Sequence, residues 1–236
     1  MGRHFEVRAK AMAESAAKKS AIYMRASKEI YMAARAGDPN PDSNLALRSA
    51  IEKWKGQSVP KDVIDRAIKK AQGGDQENYQ AGRYEAFGPG GSYFIIDTLS
   101  DNANRALTEV RTAITRKGGH MGSVSYFFTE TGILVFKGNN RDEVEETLIL
   151  SDVDVREVNQ NGEMIEVLVE PSAFAKARDV LNSMGVKDFE VSEVTPLAND
   201  MITIVEEEDK RKFKELCDML DELQDVQGVH HNVNED

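Results

Sequence analysis

Residues 133–194 read, in order, as strand, helix, strand, strand, helix, strand, and few chains can satisfy that order except as a ferredoxin-like unit. Ile133 to Phe136 is a short apolar run. Asp142 to Leu150 has a helical period, and strands follow near Val153 to Val158 and Met164 to Val169. From Ser172 to Met184 the residues Phe174, Ala177 and Leu181 fall on one helical face, and Phe189 to Val194 closes the set. The flanking segments hold a second copy of the pattern. Strand 92–99, helix 104–117 and strand 123–128, joined to strand 201–205, helix 209–223 and strand 226–232, also spell β-α-β-β-α-β. One α/β domain is therefore expected inside another of the same plan.

Ahead of these lies a stretch with a different period. From Met12 to Ala36 there is no proline or glycine, which predicts a long helix stopped by Gly37. SNLALRSAIEKWKG repeats Leu47, Ala50, Ile51 and Trp54 at i, i+3, i+4, i+7. VPKDVIDRAIKKAQGG begins with Pro60 and Asp62 in its first turn and ends at Gly73 and Gly74. The fold class is thus α+β and multidomain: a helical module over 1–74, a polar linker over 75–82, a discontinuous α/β domain over 82–130 with 200–236, and an inserted α/β domain over 131–199.

Charge divides at the same place. Residues 1–74 carry 15 Lys+Arg against 8 Asp+Glu, a balance of +7, while residues 75–236 carry 15 against 33, a balance of −18. That asymmetry points to a module that binds a polyanion, joined to an acidic body that contacts a protein partner or keeps the chain in solution. In the first helix Ile22, Ala26, Ile30 and Ala33 share one stripe, and Lys18, Arg25, Lys28 and Arg35 fall in a sector of about 100° centred roughly 130° away. Phosphate binding needs several cations on one face. The candidate nucleic-acid-binding residues are Arg3, Arg8, Lys10, Lys18, Lys19, Arg25, Lys28, Arg35, Lys55, Lys61, Lys69 and Lys70. Replacing Lys18, Arg25, Lys28 and Arg35 by Gln is expected to weaken binding and leave the fold intact. The reading requires that these cations stand open and not in internal ion pairs.

Catalytic and cofactor motifs fare worse. The glycines of RYEAFGPGGSYFIIDT run into a strand, whereas a phosphate loop runs into a helix N-terminus; no Gly-Lys-Ser/Thr occurs, and a turn with positive φ is the reading. His230 and His231 are adjacent on a predicted strand and so face opposite ways. Cys217, the one cysteine, lies on an apolar helical stripe as a buried thiol. Asp152 and Asp154, and the run Glu206 to Glu208, suit an acidic surface. No enzyme activity, metal or cofactor is expected. No apolar run approaches the roughly 18 residues of a membrane span, and the start MGRHFEVRAKAMAES lacks an apolar core, so a cytoplasmic protein is expected.

Three blocks in order, DPNPDSNLALRSAIEKWKGQSVPKDVIDRAIKKAQGG, YEAFGPGG and DNANRALTEVRTAITRKGGHMGSVSYFF, resemble the YebC/PmpR family of bacterial proteins with mitochondrial relatives, and the resemblance spans essentially the whole chain. It implies a helical module plus two α/β domains, one inserted in the other, and no enzymatic activity. Family members are described as cytoplasmic DNA-binding transcriptional regulators, and others act in translation at the ribosome. The family commonly starts with a lysine-rich segment containing Ser-Lys-Trp; here GRHFEVRAKAMAES stands instead, with Arg3, Arg8 and Lys10 keeping positive charge, as in a divergent branch. Two functions follow. One is a DNA-binding transcriptional regulator; the alternative is a translation factor seated on ribosomal RNA.

Overall fold

A computed structural model describes residues 16–73 and 77–234, with side chains from Lys19 onward. Among the described residues there are seven α-helices and two four-stranded sheets. The helices of the N-terminal part are α1 (Ala16–Ala36), α2 (Leu45–Gly56) and α3 (Lys61–Gln72). Then come β1 (Gln80–Phe87), β2 (Tyr93–Ser100), α4 (Ala103–Arg116) and β3 (His120–Met121). The third group is β4 (Phe128–Lys137), α5 (Arg141–Leu150), β5 (Val155–Asn161), β6 (Met164–Val169), α6 (Phe174–Ser183) and β7 (Val191–Ala198). The chain closes with α7 (Glu207–Glu222) and β8 (Val226–His231). Packing divides it into two compact units. One holds Ile51–Ser58 with Glu130–Pro196, and the other holds residues 16–50, Val59–Thr129 and 197–234.

In the larger unit, α1 ends at Gly37 and the chain is tied down at once by Asn44. The Asn44 amide donates to the carbonyls of Ala33 (2.9 Å) and Asp38 (2.8 Å), and its oxygen accepts from the Leu47 N–H (3.0 Å). One buried side chain thus satisfies the last turn of α1 and the first of α2. Helix α3 packs its Ile64, Ala67 and Ala71 face inward. The sheet of this unit has the order β3-β1-β2-β8, all pairs antiparallel. Phe94 and Ile96 of β2 meet Val110 and Ile114 of α4 and Phe213, Leu216 and Leu220 of α7, with Cys217 half-buried against them. On the other face Ile95, Val124 and Phe128 form a smaller core.

The other unit is built on the order β5-β6-β4-β7, the arrangement of a ferredoxin-like sheet. Leu134 and Phe136 of β4 and Ile165, Val167 and Val169 of β6 face Leu148 of α5 and Ala177 and Leu181 of α6. Arg178 of α6 is 1% exposed and donates to the Glu52 carboxylate at 2.9 Å, which fixes the second half of α2 within this unit.

The α+β class with N-terminal helices and two antiparallel sheets holds. The strand inventory of the first sheet differs from the sequence reading, which lacks the two-residue β3 and differs in three further places. The end of the supposed linker is β1, a strand that pairs with β2 along its length from Gln80↔Ser100 to Phe87↔Tyr93. Ser123 to Phe128 is mostly a 3₁₀ turn at Ser125–Phe127 because the Glu85 carboxylate accepts the amides of Val124 (2.6 Å) and Ser125 (2.8 Å) and bends the chain. Met201 to Val205 makes one isolated parallel bridge, Ile202↔Val233. In the inserted unit, β4 runs unbroken through Thr129 to Gly132, which the sequence reading leaves as a connection.

The GPGG segment is the turn of the β1–β2 hairpin. Gly90 and Gly91 have φ of 65° and 78°, and Ser92 closes the turn by donating its hydroxyl to the Pro89 carbonyl at 2.7 Å. Two residues in the left-handed region explain the glycines without a phosphate.

Candidate nucleic-acid interface

The basic residues of α1 divide into engaged and open. Arg25 Nη2 donates to the Asp221 carbonyl at 2.9 Å and lies 3.3 Å from its carboxylate, leaving its side chain 12% exposed. Lys28 Nζ reaches Asp225 Oδ1 at 3.0 Å and the carbonyls of Gln224 (2.8 Å) and Leu99 (3.2 Å), over the ring of Tyr79. Both cations are spent inside the protein. The expectation that they point into solvent is corrected: α7 and the turn before β8 bring carboxylates onto what the helical spacing alone marks as a polar face.

Asp225 is the centre of this network and is 1% exposed. Besides Lys28 it accepts from Ser100 Oγ (2.8 Å) and from Arg105 through Nη2 (2.7 Å) and Nε (3.0 Å). Burial pushes the Asp225 carboxyl up, and the hydrogen bonds from Ser100, Arg105 and Lys28 outweigh it, so the group sits below the ordinary carboxylate range.

The remaining cations are surface groups. Lys19 of α1 is exposed, and Arg35, also exposed, donates to the Ala71 carbonyl at 3.3 Å. That contact sets Arg35 at the C-terminal end of α3, where Lys69 and Lys70 are exposed. Lys70 pairs with Glu77 at 2.5 Å, and Lys61 stands exposed in the first turn of α3. Lys55 is exposed in the other unit. Arg3, Arg8 and Lys10, and the side chain of Lys18, lie outside the described residues. Cations at the end of α3 also complement its dipole.

The family model for the TACO1/YebC N-terminal domain matches residues 3–74, and the model for the TACO1/YebC second and third domain matches residues 79–233. The chain belongs to the TACO1/YebC family. A relative in Mesoplasma florum, named probable transcriptional regulatory protein Mfl546, is 46% identical over 235 residues, covering 99% of each chain. The crystal structure of a conserved hypothetical protein, Aq1575 from Aquifex aeolicus, superposes with a TM-score of 0.78 at 31% identity, covering 95% of this chain and 94% of that one.

Within this TACO1/YebC chain the surface cations that the sequence reading leaves out include Arg111 and Arg116 of α4, both exposed. They share the helix with exposed Asn104, Thr108, Thr112 and Thr115. The signal was available: Val110 to Thr129 contains Arg111, Arg116 and Lys117 and no carboxylate, inside a stretch of strongly negative balance. Lys117 is held by Glu215 at 2.6 Å. His230 Nε2 lies 3.3 Å from Asp97 Oδ2, and Arg83 Nε lies 2.6 Å from Asp97 Oδ1, a sheet-surface charge cluster. His231 lies against the rings of Phe94 and Phe213 instead.

Proposed function

We propose that this protein is a cytoplasmic nucleic-acid-binding regulator that acts by binding and not by catalysis, with DNA as its target and transcription as the process it regulates. The observation that carries this reading is the set of exposed cations Arg35, Lys61 and Lys69 on the α1–α3 pair, in a segment of balance +7 within a chain of net charge −11. Such a set neutralises backbone phosphates irrespective of sequence. The name of the Mesoplasma florum relative, a probable transcriptional regulatory protein, supports the process. The acidic remainder offers surface for a protein partner.

The reading is tested by competition. Purified protein is offered promoter DNA and ribosomes together at physiological salt. Retention on the duplex, lost when Arg35, Lys61 and Lys69 are all replaced by Gln, is the expected result. Cosedimentation with ribosomes, with duplex affinity no better than non-specific, overturns the transcriptional assignment in favour of a translation factor on ribosomal RNA.

A further inference from the structure

Helix α5 of the inserted unit is closed at its C-terminal end by a pair of backbone bonds. The Val153 N–H donates to the Leu148 carbonyl at 3.1 Å and the Asp152 N–H to the Ile149 carbonyl at 2.9 Å, with Asp152 in the left-handed region at φ 57°. This is the Schellman arrangement, whose apolar contact joins the second residue past the C-cap to the third residue from the helix end. Val153 and Leu148 fill those two places, and both lie in the core of the unit. The cap therefore makes no demand on Ile149 and Leu150, the last two residues of the helix, which are 59% and 79% exposed.

Their surroundings follow from the helical period. Val144 and Leu148 face the core. At 100° per residue the opposite face carries Asp142, Glu143, Glu146, Ile149 and Leu150, and all five are exposed. Glu146 precedes Ile149 by three residues and Leu150 by four, so the acid and the two aliphatic side chains are surface neighbours. The one cation of the helix, Arg141, lies 2.9 Å from Asp142 and 2.9 Å from Glu145. Past the cap, Asp152 and Asp154 are exposed too, and Lys176 Nζ donates to the Asp152 carbonyl at 2.6 Å. Residues 142–154 thus hold six carboxylates and no Lys or Arg, and the negative end of the helix dipole adds to their field.

Single exposed apolar residues are ordinary on a protein surface. An adjacent aliphatic pair at the end of a helix is apolar area that a partner can take out of water. The acids decide which partner. They repel a nucleic-acid backbone and an anionic membrane, and they attract Lys and Arg. A polypeptide segment with an apolar side chain between cations answers both halves of the face.

We propose that the outer face of α5 docks a cationic amphipathic segment of a partner protein, with Ile149 and Leu150 as the apolar contact and Asp142, Glu143 and Glu146 facing its Lys or Arg side chains. This gives a chemistry to the protein partner of the acidic remainder and rests on that part of the reading above, not on nucleic-acid binding.

The test uses the full chain and two labelled synthetic peptides of equal positive charge, one with leucines along one helical face between lysines, the other with serine at each leucine position. The leucine peptide is expected to bind the parent. Replacing Ile149→Ser and Leu150→Ser together is expected to weaken it about 10-fold or more, the scale for losing one buried aliphatic side chain. Leu150→Met keeps the apolar surface and is expected to keep the affinity. Glu143→Gln with Glu146→Gln is expected to weaken binding at low salt and to flatten its salt dependence. Because all four side chains are exposed, each variant is expected to melt as the parent does. Equal affinity of the leucine peptide for the parent and the double-serine variant overturns the proposal and leaves a protein partner elsewhere on the acidic remainder. Self-association of the parent that the double-serine variant lacks, with no peptide bound, assigns the face to a second copy and likewise overturns it. Absence of peptide binding without self-association overturns the protein-partner reading as well.

Discussion

The Lys28 ammonium lies 3.0 Å from the Asp225 carboxylate across 197 residues of sequence, and the carboxylate also holds Ser100 and Arg105. A residue of the first helix is therefore built into the charge network of the β2–β8 region. Removing the carboxylate leaves the Lys28 ammonium, 14% exposed, without its acid, while Arg105 keeps Asp101 at 2.7 Å. Asp225→Ala is expected to cost about 3–5 kcal/mol, the usual penalty for breaking a buried pair from one side, and Lys28→Gln about 1–3 kcal/mol. Urea unfolding of the two variants checks the order. A smaller loss for Asp225→Ala than for Lys28→Gln would show that the network is not centred on the acid.

Acid sensitivity follows from Asp97. Burial raises its pKa, but hydrogen bonds from His230 and Arg83 outweigh that and bring it to about 2, against 3.8 for a free side chain. The folded value is depressed, so the stabilisation is fully present above about 3.8 and is lost as pH falls toward about 2. Thermal melts across that window are expected to show a flatter dependence in Asp97→Asn than in the parent.

In the inserted unit, Arg178→Ala is expected to cost about 3 kcal/mol or more, since it opens a cavity beside Phe174 and leaves Glu52 without its guanidinium. Arg178→Lys is expected to recover only part of the loss, because an ammonium lacks the planar fork. Denaturant titration distinguishes the two.

The hairpin turn tolerates no side chain at Gly88. A Cβ there would sit 2.4 Å from Phe94 Cε2 and 2.5 Å from Ser92 Oγ, and Phe94 is fully buried. Gly88→Ala is expected to destabilise by about 1–3 kcal/mol through overpacking, measured by the shift in melting temperature.

The proposed phosphate contacts have a quantitative consequence for salt dependence. Each phosphate contact removed from a B-DNA complex lowers the steepness of log K against log salt by about 0.9. Single Gln substitutions at Lys61 and Lys69 are expected to do so one contact at a time, whereas Lys28→Gln lowers stability without touching the slope.

Helices and the inserted sheet were legible because their apolar periods are strong: Leu47, Ala50, Ile51 and Trp54 in α2 are all buried as their spacing requires. Strand β1 was hidden for a physical reason. Its neighbour β3 has two residues and covers only Ala86 and Phe87, so most of β1 behaves as an edge and carries Gln80, Arg83 and Glu85 where a central strand would carry apolar groups. Gly132 suggested a break within β4. It serves close packing instead, since a Cβ there would come within 2.8 Å of Val169 and 2.9 Å of Phe174. The site was less legible. A helical wheel shows that Arg25 and Lys28 avoid the apolar stripe, but it carries no information about Asp221 and Asp225, far along the chain.

Cys217 sits half-buried among the apolar side chains that join α4, α7 and β2, and the chain contains no other thiol. Nature has thus supplied a single chemical reporter inside that core. The rate at which a maleimide dye captures it reports how well its neighbours shield the thiol, so the native polypeptide carries its own probe of packing without an engineered label.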